Sequence, residues 1–403
     1  MERPLRTAVL GCGARGRAYA EYSLAHPDAF ELAAVADPAL RGDAFPCGVK
    51  ASWEEALSSS GPLDAVIIAL PDRLHRDACM AALDRGCHVL LEKPVGRTWS
   101  ECVEISEAQK KSGRLVLAGY VLRYSPYYRK LRALIASGAI GDLTSIHHLV
   151  AISYDKAAHA FCRGSWGREA DGTGTLVQKC SHDFDLIDWW TGSRKCLKVS
   201  SFGSLVHWRP ENRPADAAAM CADCPPAVRK ACPFDAQALY VGSERLRYHF
   251  ADGSDEAMRA VASSAPYGRC VYACGNDNVD HQVAVMEYEG GLTATLEMES
   301  FSKRRARKTV FYGTKGEIEA DGETIVLKPF LGPDETFRPG VCGKHGGGDD
   351  RMMESFLRFA RKATPARAAR IFEGMLESLR MAFLAEESRK TGKTVCCCGG
   401  GAA

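Results

Sequence analysis

Six residues near the start of the chain, Gly11-Cys12-Gly13-Ala14-Arg15-Gly16, follow the apolar run Thr7-Ala8-Val9-Leu10. A strand leading into three glycines at this spacing predicts a tight turn and then a helix. Gly11 permits the turn, Gly13 lets the backbone approach a pyrophosphate, and Gly16 lets the helix lie close on the strand. The helix N-terminus then offers unpaired N–H groups and partial positive charge to phosphates. The pattern alone is common, so its neighbours decide. A second apolar run, Phe30 to Ala36, ends at Asp37. A carboxylate there can accept from a ribose 2′-hydroxyl and repels a 2′-phosphate, which favours NAD over NADP.

The first part of the chain continues to alternate. Leu63 to Leu70 reads as a buried strand ending at Pro71-Asp72, and a helix is expected from His75 to Arg85. His88 to Leu91 forms another strand and delivers Glu92-Lys93-Pro94; a helix from Ser100 to Ser112 and a strand from Leu115 to Gly119 follow. This rhythm predicts a doubly wound parallel sheet of the α/β class. Ligands of such sheets sit outside the carboxyl ends of the strands. Gly11, Cys12, Gly13, Ala14, Arg15, Gly16, Asp37, Leu70, Pro71, Asp72, His75, Glu92 and Lys93 fall there and form the expected dinucleotide site.

Composition narrows the class further. A chain of 403 residues with 46% hydrophobic content can bury a large core and divide into two domains. Its 52 basic residues face 50 acidic ones, which gives no electrostatic case for a nucleic-acid partner. No apolar run is long enough for a membrane span, and Met1-Glu2-Arg3-Pro4 leads into a strand rather than a signal peptide, so a cytoplasmic location is expected.

At Glu92-Lys93-Pro94 the chain resembles the glucose–fructose oxidoreductase / inositol dehydrogenase (Gfo/Idh/MocA) family. The likeness includes the glycine turn, Pro71-Asp72 with His75, Gly119 to Tyr124, and Lys179 to Asp185, and it covers nearly the whole length. It implies a two-domain NAD(P)-dependent enzyme acting on sugars or cyclitols, with Lys93 near the nicotinamide and the reacting hydroxyl and His182 assisting proton transfer. The chemistry agrees, because hydride leaves a carbinol carbon only if the hydroxyl proton also goes. Asp183 or Asp185 could orient the His182 ring. Where many relatives carry Asp four residues before the histidine, this chain has Gln178 and then Lys179. Lys179 joins the catalytic candidates, or instead holds substrate oxygens or an anionic group.

The expected domains are 1–122 for the nucleotide, 123–348 for an α+β substrate and oligomerisation domain, 349–395 for C-terminal helices, and 396–403 for a disordered tail. The second domain is expected to carry a helix over 126–137, a strand over 143–153, a helix over 185–191, and a mostly antiparallel open sheet after Gln282. The family's open sheet implies a homodimer or homotetramer. Arg123, Tyr124, His159, Arg163, Trp166 and His281 join Lys93, Lys179 and His182 as candidate substrate contacts. His159, Arg163 and Trp166 read equally as a structured loop, and His281 as part of an Asn/Asp turn.

Cys221, Cys224 and Cys232 begin a cysteine-rich insertion over 221–274. A Cys-x-x-Cys pair with further cysteines suits a structural zinc site, while free reduced thiols, an iron–sulfur cluster or a disulfide stay open. Resemblance to relatives with a Tyr-Gly-Arg-Cys segment implies Cys270, rather than Cys274, as a fourth ligand.

These features predict an NAD-dependent oxidoreductase taking hydride from a secondary hydroxyl of a sugar or sugar derivative, neutral or anionic. The alternative is a redox-neutral NAD-dependent glycosidase that oxidises, eliminates, adds water and re-reduces. A third, non-catalytic option is an NAD-binding sensor.

Overall fold

In a computed structural model, the chain is described over residues 3–40, 42–244, 246–247, 250, 253–340 and 344–397. The nucleotide domain runs β1 (Leu5–Leu10), α1 (Ala14–Ala25), β2 (Phe30–Ala36), β3 (Val49–Lys50), α2 (Trp53–Ser59), β4 (Ala65–Ile68), α3 (His75–Asp84), β5 (His88–Leu91), α4 (Trp99–Ser112) and β6 (Val116–Ala118). Its sheet is parallel throughout, in the order β3-β2-β1-β4-β5-β6. Helices on both faces explain why β4 is apolar at every position and fully buried. The order reverses between β1 and β4, so the crevice beyond their carboxyl ends lies at the glycine turn.

The second domain contains α5 (Pro126–Ala136), β7 (Leu143–Ser153), α6 (Tyr154–Ala157), α7 (Thr175–Trp190), β8 (Cys196–Ser204), α8 (Pro226–Ala231), α9 (Asp255–Ser263), β9 (His281–Tyr288), β10 (Thr293–Ser302), β11 (Ala306–Gly313), β12 (Gly316–Ala320), β13 (Ile325–Pro329) and β14 (Glu335–Phe337). It closes with α10 (Gly348–Arg361), α11 (Pro365–Thr391) and β15 (Val395–Cys396). Its described strands form one sheet in the order β14-β13-β12-β11-β7-β10-β9-β8-β15, antiparallel except between β7 and β10. The strict burial alternation of β9 and β10 marks a sheet covered on one face. Phe202, Val285 and Tyr312 stay exposed.

Two expectations need correction. The helix expected over 185–191 begins ten residues earlier, at Thr175. Its first turns hold Gln178, Lys179, Ser181 and His182, which carry no apolar period, and its N-cap Gly174 gives no side-chain signal. Burial on nearly every side stabilises it instead. The C-terminal helices are separated before Pro365, where the Thr364 hydroxyl accepts from the Arg367 N–H at 3.3 Å. The tail is ordered at its start: Cys396 pairs with Lys198 across the sheet, and Cys397 is buried with its Sγ 3.6 Å from that of Cys196. The remainder of that expected tail, 398–403, lies outside the described residues.

Helix α11 packs on α7 and β8 of one domain and on α4 and β6 of the other. The Met375 sulfur lies 3.3 Å from the Ala118 amide, so one apolar core runs through both domains.

The glycine turn is set by contact. Gly11 has φ +81°, and a Cβ there would lie 2.5 Å from the Ala69 carbonyl oxygen; one on Gly16 would lie 1.8 Å from that of Gly11. Gly16→Ala must therefore separate α1 from β1. An overpacking loss of about 1–3 kcal/mol is expected in denaturant unfolding, with weakened dinucleotide binding.

Candidate functional site

The carboxyl ends of the parallel strands and the N-terminal half of α7 meet around a cleft of about 290 Å³. Arg15, Leu70, Asp72, His75, Glu92, Lys93, Trp166, Gln178, His182 and His345 contribute to its lining. The structure thus gathers eight of the sequence candidates at one place. It adds Gln178, which the sequence marked only as a departure, and His345, which the sequence did not mark. His345 has φ +49° and precedes two left-handed glycines, Gly346 and Gly347. The Lys-His-Gly-Gly-Gly run was the signal that could have found it.

Lys93 leaves the end of β5 and donates to the Gln178 carbonyl oxygen on α7 at 2.8 Å. Burial lowers its ammonium pKa, although Asp72 and Glu92 oppose that shift. Burial and the Lys93 and Arg307 cations also hold His182 well below the usual imidazole range. The ring is therefore neutral near pH 7, and its Nδ1 has no partner among the described residues. With the Gln178 amide oriented by its surroundings, its nitrogen donates to Asp72 Oδ2 and its oxygen accepts from Trp166 Nε1, both at 3.0 Å. Gln178 thereby ties α7 to the loop after β4.

The next residues of α7 fix its angle. Asp183 is fully buried and accepts from Arg307 Nε at 2.6 Å and Nη2 at 3.1 Å. His148 Nε2 lies 2.9 Å from the same carboxylate, and its Nδ1 lies 2.8 Å from Thr309 Oγ1. Burial would raise the Asp183 pKa, but Arg307 and His148 hold it well below the usual carboxylate range. Asp183, one of the two sequence candidates for orienting His182, is thus spent on the sheet, and the other, Asp185, on Arg123. Lys179 is half-buried and is not among the residues that line the cleft; burial with the nearby Arg307 cation brings it down to about 7.

Some candidates are anchored around the cleft. Burial raises the Glu92 pKa, but Arg15, 2.7 Å away, and the Tyr19 hydroxyl hold it below its usual value. Arg15 also pairs with Asp349 on α10 at 2.7 Å. His75 places its two ring nitrogens 2.8 Å from the Pro94 oxygen and 2.9 Å from that of Leu70, bracing the two loops. Asp37 accepts from the Cys12 and Ala39 amides at 2.8 and 2.9 Å.

Other candidates lie away from the cleft. Arg123 is paired with Asp185 at 2.6 Å, beside a buried Tyr124 hydroxyl whose pKa is raised by burial. His281 lies 3.0 Å from Asp280 at the start of β9. Residues 158–163 form a buried π-helical turn rather than a polar loop. His159 stacks on Tyr267 with centroids 4.9 Å apart. Arg163 donates to the Arg269 and Phe234 carbonyls at 2.7 and 2.6 Å and to Cys221 Sγ at 3.4 Å. These two side chains therefore stitch the cysteine insertion to the domain and do not reach the cleft.

Cys221, Cys224, Cys232 and Cys270 do converge, on a cavity of about 20 Å³ that Arg163 also lines. Among the described residues, however, no group of three or more His, Cys, Asp or Glu is arranged to hold a metal ion. The zinc expectation thus lacks geometric support; the cation beside these thiols is a guanidinium.

The glycine turn fits a dinucleotide. A Cβ on Gly13 would meet nothing within 4 Å, and α1 begins there with no side-chain cap and no acidic residue in its first turn. Fold and cleft together define a dinucleotide-binding oxidoreductase architecture with a separate sheet domain.

Residues 5–120 match the oxidoreductase family with an NAD-binding Rossmann fold, and residues 132–397 match its C-terminal α/β domain. The chain belongs to the Gfo/Idh/MocA family. It is 28% identical to YteT of Bacillus subtilis over 76% of this chain and 74% of that one. It is also 28% identical to inositol 2-dehydrogenase of Corynebacterium glutamicum, over 51% of this chain and 61% of that enzyme. Among solved structures, levoglucosan dehydrogenase in complex with NADH and levoglucosan shares the fold, with a TM-score of 0.70 at 16% identity, covering 98% of this chain and 100% of that one. No helix among the described residues is long and apolar enough to cross a membrane.

Arg307→Met leaves Asp183 as a buried charge with His148 as its remaining side-chain hydrogen-bond partner among the described residues. A loss of about 3–5 kcal/mol is expected in denaturant unfolding at pH 7. Because the Asp183 pKa is lowered in the folded chain, its contribution is present above the unfolded value of about 4 and fades as pH falls. The difference between the two proteins should therefore shrink in acid.

Proposed function

We propose that the chain is an NAD-dependent oxidoreductase that takes hydride from a secondary hydroxyl of a sugar, glycoside or sugar derivative. The observation that carries this is the pairing of a pKa-lowered Lys93 with a neutral His182, whose Nδ1 has no hydrogen-bond partner among the described residues, in one cleft at the strand ends. Lys93 binds the reacting hydroxyl and polarises its O–H bond. His182 takes the hydroxyl proton, and its low basicity lets it return that proton in the reverse direction. Gln178 and the Asp183 anchor hold both groups in position. Bound on the glycine turn, NAD would supply the hydride acceptor. Asp37 supports NAD over NADP, because a 2′-phosphate beside it would meet a like charge. The exposed Phe202, Val285 and Tyr312 support a homodimer or homotetramer.

A redox-neutral glycosidase would use the same groups, and Gln178 in place of an acid, followed by a Lys179 near 7, favours keeping it in view. A sugar and glycoside panel, followed for NADH absorbance and product sugar together, separates the two. Steady NADH growth supports the dehydrogenase; sugar release without NADH growth supports the glycosidase.

Lys93→Met should lower turnover by roughly 10²–10⁴-fold on any substrate found. Unchanged turnover in that variant would remove Lys93 from the chemistry. Asp37→Ser should shift the ratio of NADP to NAD affinity towards NADP by at least about tenfold, read by fluorescence titration with the two reduced cofactors.

A further inference from the structure

The last described stretch of the chain is guided to one place by a series of specific contacts. Helix α11 ends at Thr391, and Gly392 after it, with φ +68°, turns the chain back towards β8. The Ser388 hydroxyl on α11 donates to the Lys393 carbonyl at 2.6 Å and accepts from the Ser201 N–H of β8 at 2.9 Å. Thr394 Oγ1 lies 2.7 Å from Ser200 Oγ, and Val395 and Cys396 pair with Val199 and Lys198. Cys397 closes the series. Its N–H donates to the Leu197 carbonyl at 2.8 Å, and its own carbonyl accepts from Arg380 of α11 at 3.0 Å.

These contacts deliver the Cys397 side chain to the first residue of β8. Its sulfur is in contact with that of Cys196 at 3.6 Å, and both side chains are buried, whereas the adjacent Cys396 is exposed. The hydrogen bond between the two thiols lowers the Cys397 pKa and raises that of Cys196; burial opposes the lowering, and Arg380 adds to it. Cys397 is therefore the member of the pair that reacts as thiolate. Neither cysteine lines the cleft.

We propose that Cys196 and Cys397 form a redox latch, joined by exchange with a small disulfide of the glutathione class, that locks the end of α11 to the sheet. The Cys397 thiolate attacks one sulfur of the small disulfide, which forms a mixed disulfide and releases one thiolate. Cys196 gives up its proton, attacks Cys397 Sγ and displaces the second. The small disulfide takes up two electrons and two protons in all and leaves as two thiols, while the chain gains one S–S bond. Access comes through β15, a two-residue strand at the end of the described sheet, which single hydrogen bonds leave free to open locally. The new bond spans 201 positions and encloses α11, which packs on both domains. Oxidation thus tightens the joint between the domains without touching the cleft.

The test incubates the full chain with oxidised glutathione or with dithiothreitol, alkylates the free thiols and analyses tryptic peptides by mass spectrometry. Cleavage after Lys195, Lys198 and Lys393 releases Cys196 in the tripeptide Cys196-Leu197-Lys198 and Cys397 in the peptide that starts at Thr394. The oxidised sample should contain these two peptides joined, with fragmentation placing the bond at Cys397, and the reduced sample should not. The melting temperature should rise by at least about 3 °C on oxidation and fall back on reduction. Cys397→Ser should abolish both the linked peptide and the rise, and Cys396→Ser should keep both. Cys196 recovered as a free thiol or joined to another cysteine, or Cys397 capped by glutathione with no link, overturns the proposal. A linked pair with an unmoved melting temperature, or a rise that persists in Cys397→Ser, overturns it as well.

Discussion

The buried carboxylate of Asp183 governs this site although no cleft contact is needed from it. It joins one helix to two neighbouring strands through Arg307 and His148, and Thr309 secures the histidine from behind. Because His182 is the adjacent residue, locking Asp183 onto the sheet sets the direction in which the imidazole can point. Lys179 and Gln178 lie one turn back and inherit the same rotation. A buried ion pair of this kind is weak evidence for stability, since desolvation offsets much of its attraction. Its contribution here is geometric: it selects one rotation of α7 among several that its apolar surface would allow.

The same logic operates on the nucleotide side. Arg15 lies within the glycine turn, where a phosphate contact would be the simple expectation, yet its guanidinium bridges Glu92 and Asp349. It thereby joins three separate stretches of chain beside the cleft. Phosphates of a bound dinucleotide would be left to backbone N–H groups and the helix end, which carry no side-chain entropy cost on binding. His75 plays a comparable part between the loops after β4 and β5. Several residues that lie at a cofactor site in sequence thus act as its frame.

Much of this was legible in the chain. The strands β2, β5 and β7 could be bounded from apolar runs and turn residues, because local pattern and final burial agree there. The spacing of Gly11, Gly13 and Gly16 announced a close approach that the backbone indeed requires. The start of α7 was not legible, since its stability comes from burial of polar residues whose partners lie far along the sequence. Asp183 and Arg307 are 124 positions apart, and nothing local in either segment marks the pair. Arg163 misled for the opposite reason. An arginine beside a tryptophan suits sugar recognition, but its carbonyl and thiol partners come from the insertion, which only the fold brings near.

Helix α11 has a consequence for how the protein is made. The strand β6 and helix α4 complete the first domain near residue 120, yet both rest on α11, with Met375 against the amide of Ala118. A ribosome releases the nucleotide-binding half long before that helix exists. Until then the half-finished domain exposes the apolar flank that α11 will cover, and its last stage of folding waits on the far end of the chain. Order of synthesis and order of consolidation are therefore out of step, and the interval between them is when this protein is most open to a chaperone or to aggregation.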